Sequence, residues 1–351
     1  MAQHAIFDKK NVLVIGGAGF IGSHLCDELV KYNKVICIDN FITGRVQNIE
    51  HLLGNENFVF IKYDASQPLE LTAFPELEKF QIQFQGVQEV YNLAAPTNKH
   101  NFEQNVYHTL LSNSFAVRNS LEIARQYQAK YLFASSSAVY GDPLKDQELF
   151  AEDYWGYVDP IGLRSCYNEG KRFGESFVFS FGKQFGIDVK VARIFNTYGP
   201  RMALNSGRMI PDFVLASAEG KDLLIYGDGS EADTYCYIND CIDGILKLMN
   251  YQVVGPVNLG SPERYSLLDI AKKIITFTES RSEIKFADAL PNLTKPGVAD
   301  IRKAKQRLGW FPVVALDEGL RRTVADMLGS RVLTYASMGP RGVWHNSEFL
   351  L

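Results

Sequence analysis

The stretch Asn11-Val-Leu-Val-Ile-Gly-Gly-Ala-Gly-Phe-Ile-Gly22 carries an apolar strand directly into three glycines, Gly16, Gly19 and Gly22, and then into a helical pattern. Each glycine has its own task in a turn that receives a pyrophosphate. Gly16 permits the tight turn, Gly19 lets the backbone approach phosphate without a Cβ, and Gly22 lets the helix press on the strand. The first helical amides are then aimed at negative charge. A second strand, Val35 to Ile38, ends in Asp39, at about the spacing that puts a carboxylate on an adenosine ribose. A carboxylate there repels a 2′-phosphate, so the expected cofactor is NAD and not NADP.

Working outward, apolar strand candidates alternate with helical patterns through the first half: Val12 to Ile15, Val35 to Ile38, Phe58 to Lys62, Glu89 to Leu93, Lys130 to Ala134 and Val189 to Ile194. That alternation marks a parallel sheet covered on both faces. The expected fold class is α/β, a Rossmann doubly wound parallel sheet with a smaller, interleaved C-terminal substrate lobe. Between the fourth and fifth strands, Glu103 to Gln126 carries Val106, Leu110, Val117, Leu121 and Ala124 at helical spacing and predicts one long helix. Glu70 to Gln85, with Phe74, Phe80 and Phe84 in a polar setting, is an insertion of unassigned form. After Gly199-Pro200 the elements shorten: helices over Met209 to Ala218, Leu267 to Thr278, Ile301 to Leu308 and Leu316 to Met327, and strands over Leu223 to Tyr226 and Tyr235 to Ile238. The expected division is a cofactor domain over residues 1–200, with 240–250 packing back on it, a substrate lobe over 201–329, and a tail of unassigned role over 330–351.

Composition excludes several function classes. The 351 residues suffice for a sizeable core, and the net charge of -4, without a basic cluster, argues against nucleic acid as a partner. Five scattered cysteines lack a CxxC pair and read as thiols in a reducing compartment, and the six histidines show no metal-ligand spacing, so no metal is expected. No apolar run reaches membrane-spanning length and the N-terminus lacks a signal-peptide core, which makes the cytoplasm the expected location. His100 and His108 read as polar surface residues.

Tyr167-Asn-Glu-Gly-Lys171 puts a phenol and an ammonium on one helix face, a turn apart. A nearby cation favours the phenolate, so Lys171 makes Tyr167 a usable base for a sugar hydroxyl. The strand end Phe133-Ala-Ser-Ser-Ser-Ala-Val-Tyr140-Gly141 places hydroxyls beyond the carboxyl end of the fifth strand, where ligands of such sheets bind, and Ser136 is the expected partner of Tyr167. A nucleophile elbow is absent, since no Gly-x-Ser-x-Gly occurs there. Phe173, Phe177, Phe181 and Phe185 recur every fourth residue and read as core or interface packing.

The glycine pattern, Asp39-Asn-Phe-Ile-Thr-Gly-Arg45, the serine-rich strand end, Tyr167 with Lys171, and Arg193-Ile-Phe-Asn-Thr-Tyr-Gly-Pro-Arg201 together resemble the extended short-chain dehydrogenase/reductases that modify nucleotide sugars. Within them the chain is most similar to the UDP-glucuronate decarboxylases, from about Lys10 to Met327, with Glu152-Asp-Tyr-Trp-Gly-Tyr-Val-Asp-Pro-Ile-Gly-Leu-Arg-Ser-Cys-Tyr-Asn-Glu-Gly-Lys-Arg172 nearly in that family's own wording. The resemblance implies a hydride-borrowing cycle on tightly held NAD: the sugar C4 hydroxyl is oxidised, the 4-keto intermediate reacts, and the hydride is returned. It further implies catalysis by Tyr167, Lys171 and Ser136. The implied NAD contacts are Gly16, Gly19, Phe20, Ile21, Gly22, Asp39, Asn40, Thr43, Gly44, Asp64, Ala65, Leu93, Ala95, Ser112, Tyr167, Lys171 and Ile194. Substrate contacts are expected at Ser137, Asn196, Arg201 and Arg208, with Arg193, Arg201 and Arg208 standing either as phosphate ligands or as structural ion pairs, and the resemblance implies a homodimer through the Glu103 to Gln126 helix and the helix bearing the Phe stripe.

Four positions depart from the decarboxylase pattern. Ala138 stands where that family has a glutamate, Leu111 where it has a lysine, and Asp233 where it has an arginine; Pro296-Gly297-Val-Ala replaces a basic run. An arginine-to-aspartate change reverses the sign of a charge-assisted contact to phosphate or carboxylate. Decarboxylation of a UDP-glucuronate-like substrate therefore stands beside 4-epimerisation or simple oxidoreduction of a different sugar, UDP-linked or not, and beside an idle NAD-binding regulator.

Overall fold

The computed structural model describes residues 8–97, 103–144, 149–204, 206–288 and 297–337. Its centre is a seven-stranded, wholly parallel sheet: β1 (Asn11–Ile15), β2 (Lys34–Asp39), β3 (Phe58–Lys62), β4 (Glu89–Asn92), β5 (Lys130–Ser136), β6 (Val189–Ile194) and β7 (Val257–Leu259), in the order β3-β2-β1-β4-β5-β6-β7. All six pairings are parallel, with register set by partners such as Val14 with Cys37 and Val14 with Tyr91. Strand order reverses beside β1, which opens a crevice between the carboxyl ends of β1 and β4.

Alternation within each strand feeds two cores. Val12 and Val14 face one layer, with Leu25, Cys26 and Leu29 of the Phe20–Leu29 helix; Leu13 and Ile15 face the other, with Val117 and Leu121 of the Phe115–Tyr127 helix and Val178 of the Ser165–Phe185 helix. Because both faces are covered, the strands read as continuous apolar runs. The Ile238–Asn250 helix lies against β5, β6 and β7 and buries Ile238, Cys241, Ile242, Ile245, Leu248 and Met249. The first core continues without a break into the smaller lobe, through Ile210 and Val214 of the Met209–Ala218 helix, Ile270 and Ile274 of the Leu267–Phe277 helix, and Leu320 and Val324 of the Leu316–Ser337 helix. That last helix runs beyond residue 329. All five cysteines are buried and free.

Several local expectations give way. The predicted long helix is broken at Ser114 (φ −121°, ψ −77°) into Val106–Asn113 and Phe115–Tyr127, after a 3₁₀ turn at Glu103–Asn105. The cause is local: Ser114 Oγ donates to the Leu110 carbonyl at 2.6 Å, and Ser112 and Asn113 side chains both donate to the Thr109 carbonyl, so side chains compete with the helix ladder. Tyr235 to Ile238 is not one strand. Cys236–Tyr237 pairs with Thr197–Tyr198, and Ile238 opens the following helix. Glu70 to Gln85 forms 3₁₀ turns at Leu71–Ala73 and Pro75–Phe80 and one helical turn at Ile82–Gln85, with Phe80 buried and Phe84 exposed. Strand β7 was not foreseen; three residues make too short an apolar run to stand out, and pairing with β6 defines it. The Phe stripe has ring centroids 5.7, 6.1 and 4.5 Å apart and runs from exposed Phe173 through buried Phe181 to Phe185 at the surface. His100 and the stretch beyond 337 lie outside the described residues.

Candidate active site

Gly16 has φ +79°, and a Cβ there would lie 2.8 Å from the Ala94 amide nitrogen, so the turn between β1 and the Phe20–Leu29 helix excludes any other residue. At Gly22 a Cβ would lie 2.1 Å from the Gly16 carbonyl oxygen, so the helix presses on the glycine turn and not, as expected, on the strand. Around Gly19 the one close neighbour a Cβ would meet is that same oxygen, at 3.2 Å; the rest is open. The helix starts at Gly19 with no side-chain cap and no acidic residue in its first turn. Its leading amides are thus available to an anion, as a pyrophosphate requires.

Asp39 closes β2 and is buried. Its Oδ2 accepts from the Ala18 amide at 3.0 Å and its Oδ1 from the Phe41 amide at 2.8 Å, tying the glycine turn to the end of β2. Burial pushes its carboxyl upward, against the lowering effect of the backbone donors Phe41, Ala18 and Asn40. The carboxylate retains lone pairs for ribose hydroxyls. Gly44 packs on it, since a Cβ there would sit 2.7 Å from Oδ1.

A cleft opens at these strand ends. Of the expected NAD contacts, Gly16, Gly19, Asp39, Asn40, Thr43 and Gly44 line it from the β1 and β2 side, and Asp64, Ala65, Leu93, Ala95 and Ser112 from the β3 and β4 side. Phe20, Ile21 and Gly22 in the helix, Ile194 at the end of β6, and Tyr167 and Lys171 are not among the residues that line it. Ile42, Tyr63, Ser66, Ala94 and Pro96 also line it and were not singled out, and His108, read as a polar surface residue, is exposed and lines it too. This donor set and cradle fit NAD. Leu111 lines the cleft as well and gives it an apolar wall where a lysine would put a charge.

The Ser165–Phe185 helix packs on the end of β5 and on the 3₁₀ turn Ser137–Tyr140. Lys171 is 3% exposed; its ammonium donates to the Ala134 carbonyl at 2.8 Å, lies 4.7 Å from the centre of the Phe133 ring and 5.8 Å from that of Tyr167. Burial pushes its ionisation down to about 7, with Glu175 pulling the other way. Tyr167 is half-buried. Ser136 Oγ accepts from the Ala138 amide at 3.2 Å, so it caps the turn while keeping its own proton to donate. Burial lowers the Arg208 guanidinium, which the Tyr167 phenol opposes and Arg164 reinforces.

The depressed Lys171 has a consequence for stability. Between about pH 7 and the unfolded lysine value of about 10.4, the unfolded chain binds a proton that the folded one does not, so this group adds stability as pH rises and withdraws it as pH falls through 7. Urea unfolding at pH 7 and pH 9 is expected to show a smaller rise for Lys171→Met than for the wild type. Equal slopes would contradict the burial-driven shift.

Two other expected substrate contacts, Arg201 and Asn196, are engaged within the protein. Arg201 Nη2 reaches Asp27 Oδ2 at 2.7 Å, its amide donates to Asp326 Oδ2 at 2.9 Å, and it is absent from the cleft lining. Asn196 Nδ2 donates to Asp233 Oδ2 at 3.0 Å. Ser137 opens the turn after β5. Arg193 makes a bidentate ion pair with Glu175, 2.9 Å from Nε to Oε1 and 2.8 Å from Nη2 to Oε2. At Gly297 a Cβ would lie 1.8 Å from a Phe150 ring carbon, so the ring occupies the space a longer side chain would need.

The family model for the NAD dependent epimerase/dehydratase family matches residues 12–260. UDP-glucuronic acid decarboxylase 1 of Xenopus tropicalis is 43% identical over 321 residues, covering 90% of this chain and 72% of that protein. Among solved structures, UDP-glucose 4-epimerase of Thermotoga maritima with UDP-glucose superposes with a TM-score of 0.80 at 26% identity, over 92% of this chain and 99% of that one. UDP-glucuronic acid 4-epimerase of Bacillus cereus, in complex with UDP-glucuronic acid and NAD, gives 0.78 at 29%, over 91% and 99%. With the glycine cradle, the Asp39 anchor and the buried Lys171 in this setting, the chain belongs to the NAD-dependent epimerase/dehydratase family of enzymes.

Proposed function

We propose that this chain is an NAD-dependent nucleotide-sugar enzyme of the UDP-glucuronate decarboxylase type, which oxidises the sugar C4 hydroxyl and acts on the resulting 4-keto intermediate. The observation that carries this reading is the ammonium of Lys171, buried at the end of β5 and one turn from the Tyr167 ring. NAD held in the adjoining cleft supplies the hydride acceptor. Tyr167 takes the C4 hydroxyl proton, Lys171 favours the phenolate, and Ser136 hydrogen-bonds the same oxygen. A ketone at C4 is β to a C6 carboxylate, and that relation lets carbon dioxide leave a uronate.

Specific observations favour a second outcome, inversion at C4. Ala138 offers no carboxylate, Leu111 no cation, Asp233 is held by Asn196, and Phe150 fills the space beside Gly297. Purified protein supplied with UDP-glucuronate, UDP-glucose and dTDP-glucose is expected to show transient reduction of bound NAD with at least one. Product mass then separates the outcomes: decarboxylation loses carbon dioxide and epimerisation loses nothing. Firm NAD binding without reduction by any sugar nucleotide would overturn the enzymatic reading.

If Asp233 faces the substrate's anionic part, Asp233→Arg exchanges repulsion for a charge-assisted bond and is expected to lower the apparent KM for a UDP-sugar by roughly tenfold. An unchanged KM would remove Asp233 from the substrate site. The proposal extends to a homodimer through the Val106–Asn113 and Ser165–Phe185 helices, whose Tyr107, Leu110 and Phe173 stay exposed although the helices pack on each other. Analytical ultracentrifugation showing only monomer at micromolar concentration would exclude that assembly.

A further inference from the structure

Glu175 lies one turn beyond Lys171 on the same helix and is buried, yet the chemistry proposed above gives it no part. Its carboxylate is fully engaged. Oε1 accepts from Ser135 Oγ at 2.5 Å and from Arg193 Nε at 2.9 Å, and Oε2 accepts from Arg193 Nη2 at 2.8 Å. Ser135 directly follows Ala134, whose carbonyl receives the Lys171 ammonium at 2.8 Å. Two consecutive residues of β5 therefore grip two helix side chains a turn apart. Arg193 extends the chain of contacts by donating to the Tyr140 hydroxyl at 2.9 Å, which itself donates to Asn258 Oδ1 at 2.7 Å.

The charges on the other elements packed around Lys171 are occupied or distant. On β6, Arg193 is bound to Glu175 and Lys190 to Asp188. On the two neighbouring helices, His108 and Arg118 are exposed and Arg125 pairs with Glu122 at the surface. Tyr140 of the 3₁₀ turn is held by Arg193, and the Arg208 guanidinium feels the charges of Tyr167 and Arg164. The groups in contact with the Lys171 ammonium are a carbonyl oxygen and two aromatic rings, none of them an anion, and Glu175 is the buried carboxylate one helical turn away.

We propose that Glu175 is a positioning residue that keeps Lys171 cationic in its buried site, a role that rests on the reading of Tyr167 and Lys171 given above. Burial drives that cation toward neutrality and Glu175 opposes it. A neutral Lys171 no longer stabilises the phenolate, so the carboxylate acts on the reaction through the lysine and touches no substrate.

The test reads Lys171 directly. In protein labelled with ¹³Cε-lysine, its resonance is assigned by its loss in Lys171→Met and titrated in the wild type and in Glu175→Gln. The titration midpoint is expected to fall by about one pH unit, with the alkaline limb of NAD reduction moving down equally and the apparent KM unchanged. Because Glu175→Gln leaves the Arg193 guanidinium buried without its partner, folding is followed by near-UV circular dichroism, and Arg193→Gln, which strips the Glu175 carboxylate of its neutralising cation, serves as a second variant whose Lys171 midpoint is expected to rise. Glu175→Asp is expected to restore part of the midpoint. An unchanged Lys171 midpoint in whichever variant folds would overturn the proposal. A lowered midpoint, in a protein whose NAD no sugar nucleotide reduces, would uphold the link between Glu175 and Lys171 and sink the catalytic reading instead.

Discussion

Tyr167→Phe is expected to lower the rate of NAD reduction by about a thousandfold, within the range that a positioned general base contributes, while leaving NAD bound. The substitution removes one oxygen. The ring of Tyr167 remains to pack beside the Lys171 ammonium, 5.8 Å from its centre, and the ammonium keeps its bond to the Ala134 carbonyl. Nothing in the glycine turn or the Asp39 anchor depends on the phenol, so cofactor affinity is expected to move by less than the rate. Stopped-flow reduction with a turned-over sugar nucleotide, beside a calorimetric NAD titration, measures both quantities. Undiminished reduction would take Tyr167 out of the chemistry, and loss of NAD together with rate would assign it a structural part.

Gly22→Ala is expected to weaken NAD binding by ten- to a hundredfold, because overpacking against backbone typically costs about 1–3 kcal/mol and each 1.4 kcal/mol is tenfold in affinity. The added Cβ would lie 2.1 Å from the Gly16 carbonyl oxygen and 2.8 Å from Gly17 Cα, neither of which is a side chain that could rotate away. One of the two backbones must shift. The helix is pinned by the buried Leu25, Cys26 and Leu29, while the glycine turn is held by Ala18 on Asp39 and by Gly16 on the Ile38 carbonyl. Strain falls on the amides that would face the pyrophosphate. Calorimetry on the variant reports the loss, and a wild-type affinity would mean that the turn can relax without disturbing the anion site.

Legibility followed the range of the interactions. Strands β1 to β6 could be read because burial on both faces leaves uninterrupted apolar runs, whereas β7 owes its place to β6. Ser112, Asn113 and Ser114 hid a helix break because the apolar spacing continues across it while three side chains bond back to the preceding turn. Of the cleft residues after β1 to β4, the glycines and Asp39 were legible from local geometry, and the others came from the family resemblance. Arg201 was read as a phosphate contact or an ion pair, and only folding brings Asp27, from the first helix, to within 2.7 Å of its guanidinium.

By itself the amino-acid order determined the glycine turn, the acidic end of β2 and the Tyr167-Lys171 pair, since each is a matter of local backbone geometry or helical periodicity within a few residues. Tertiary structure decided the rest: which charges are neutralised, as when Arg193 meets Glu175, and which space is filled, as when Phe150 closes on Gly297. Such contacts join residues remote in the chain, and electrostatic energy and volume depend on distance through space, which spacing along a sequence does not encode.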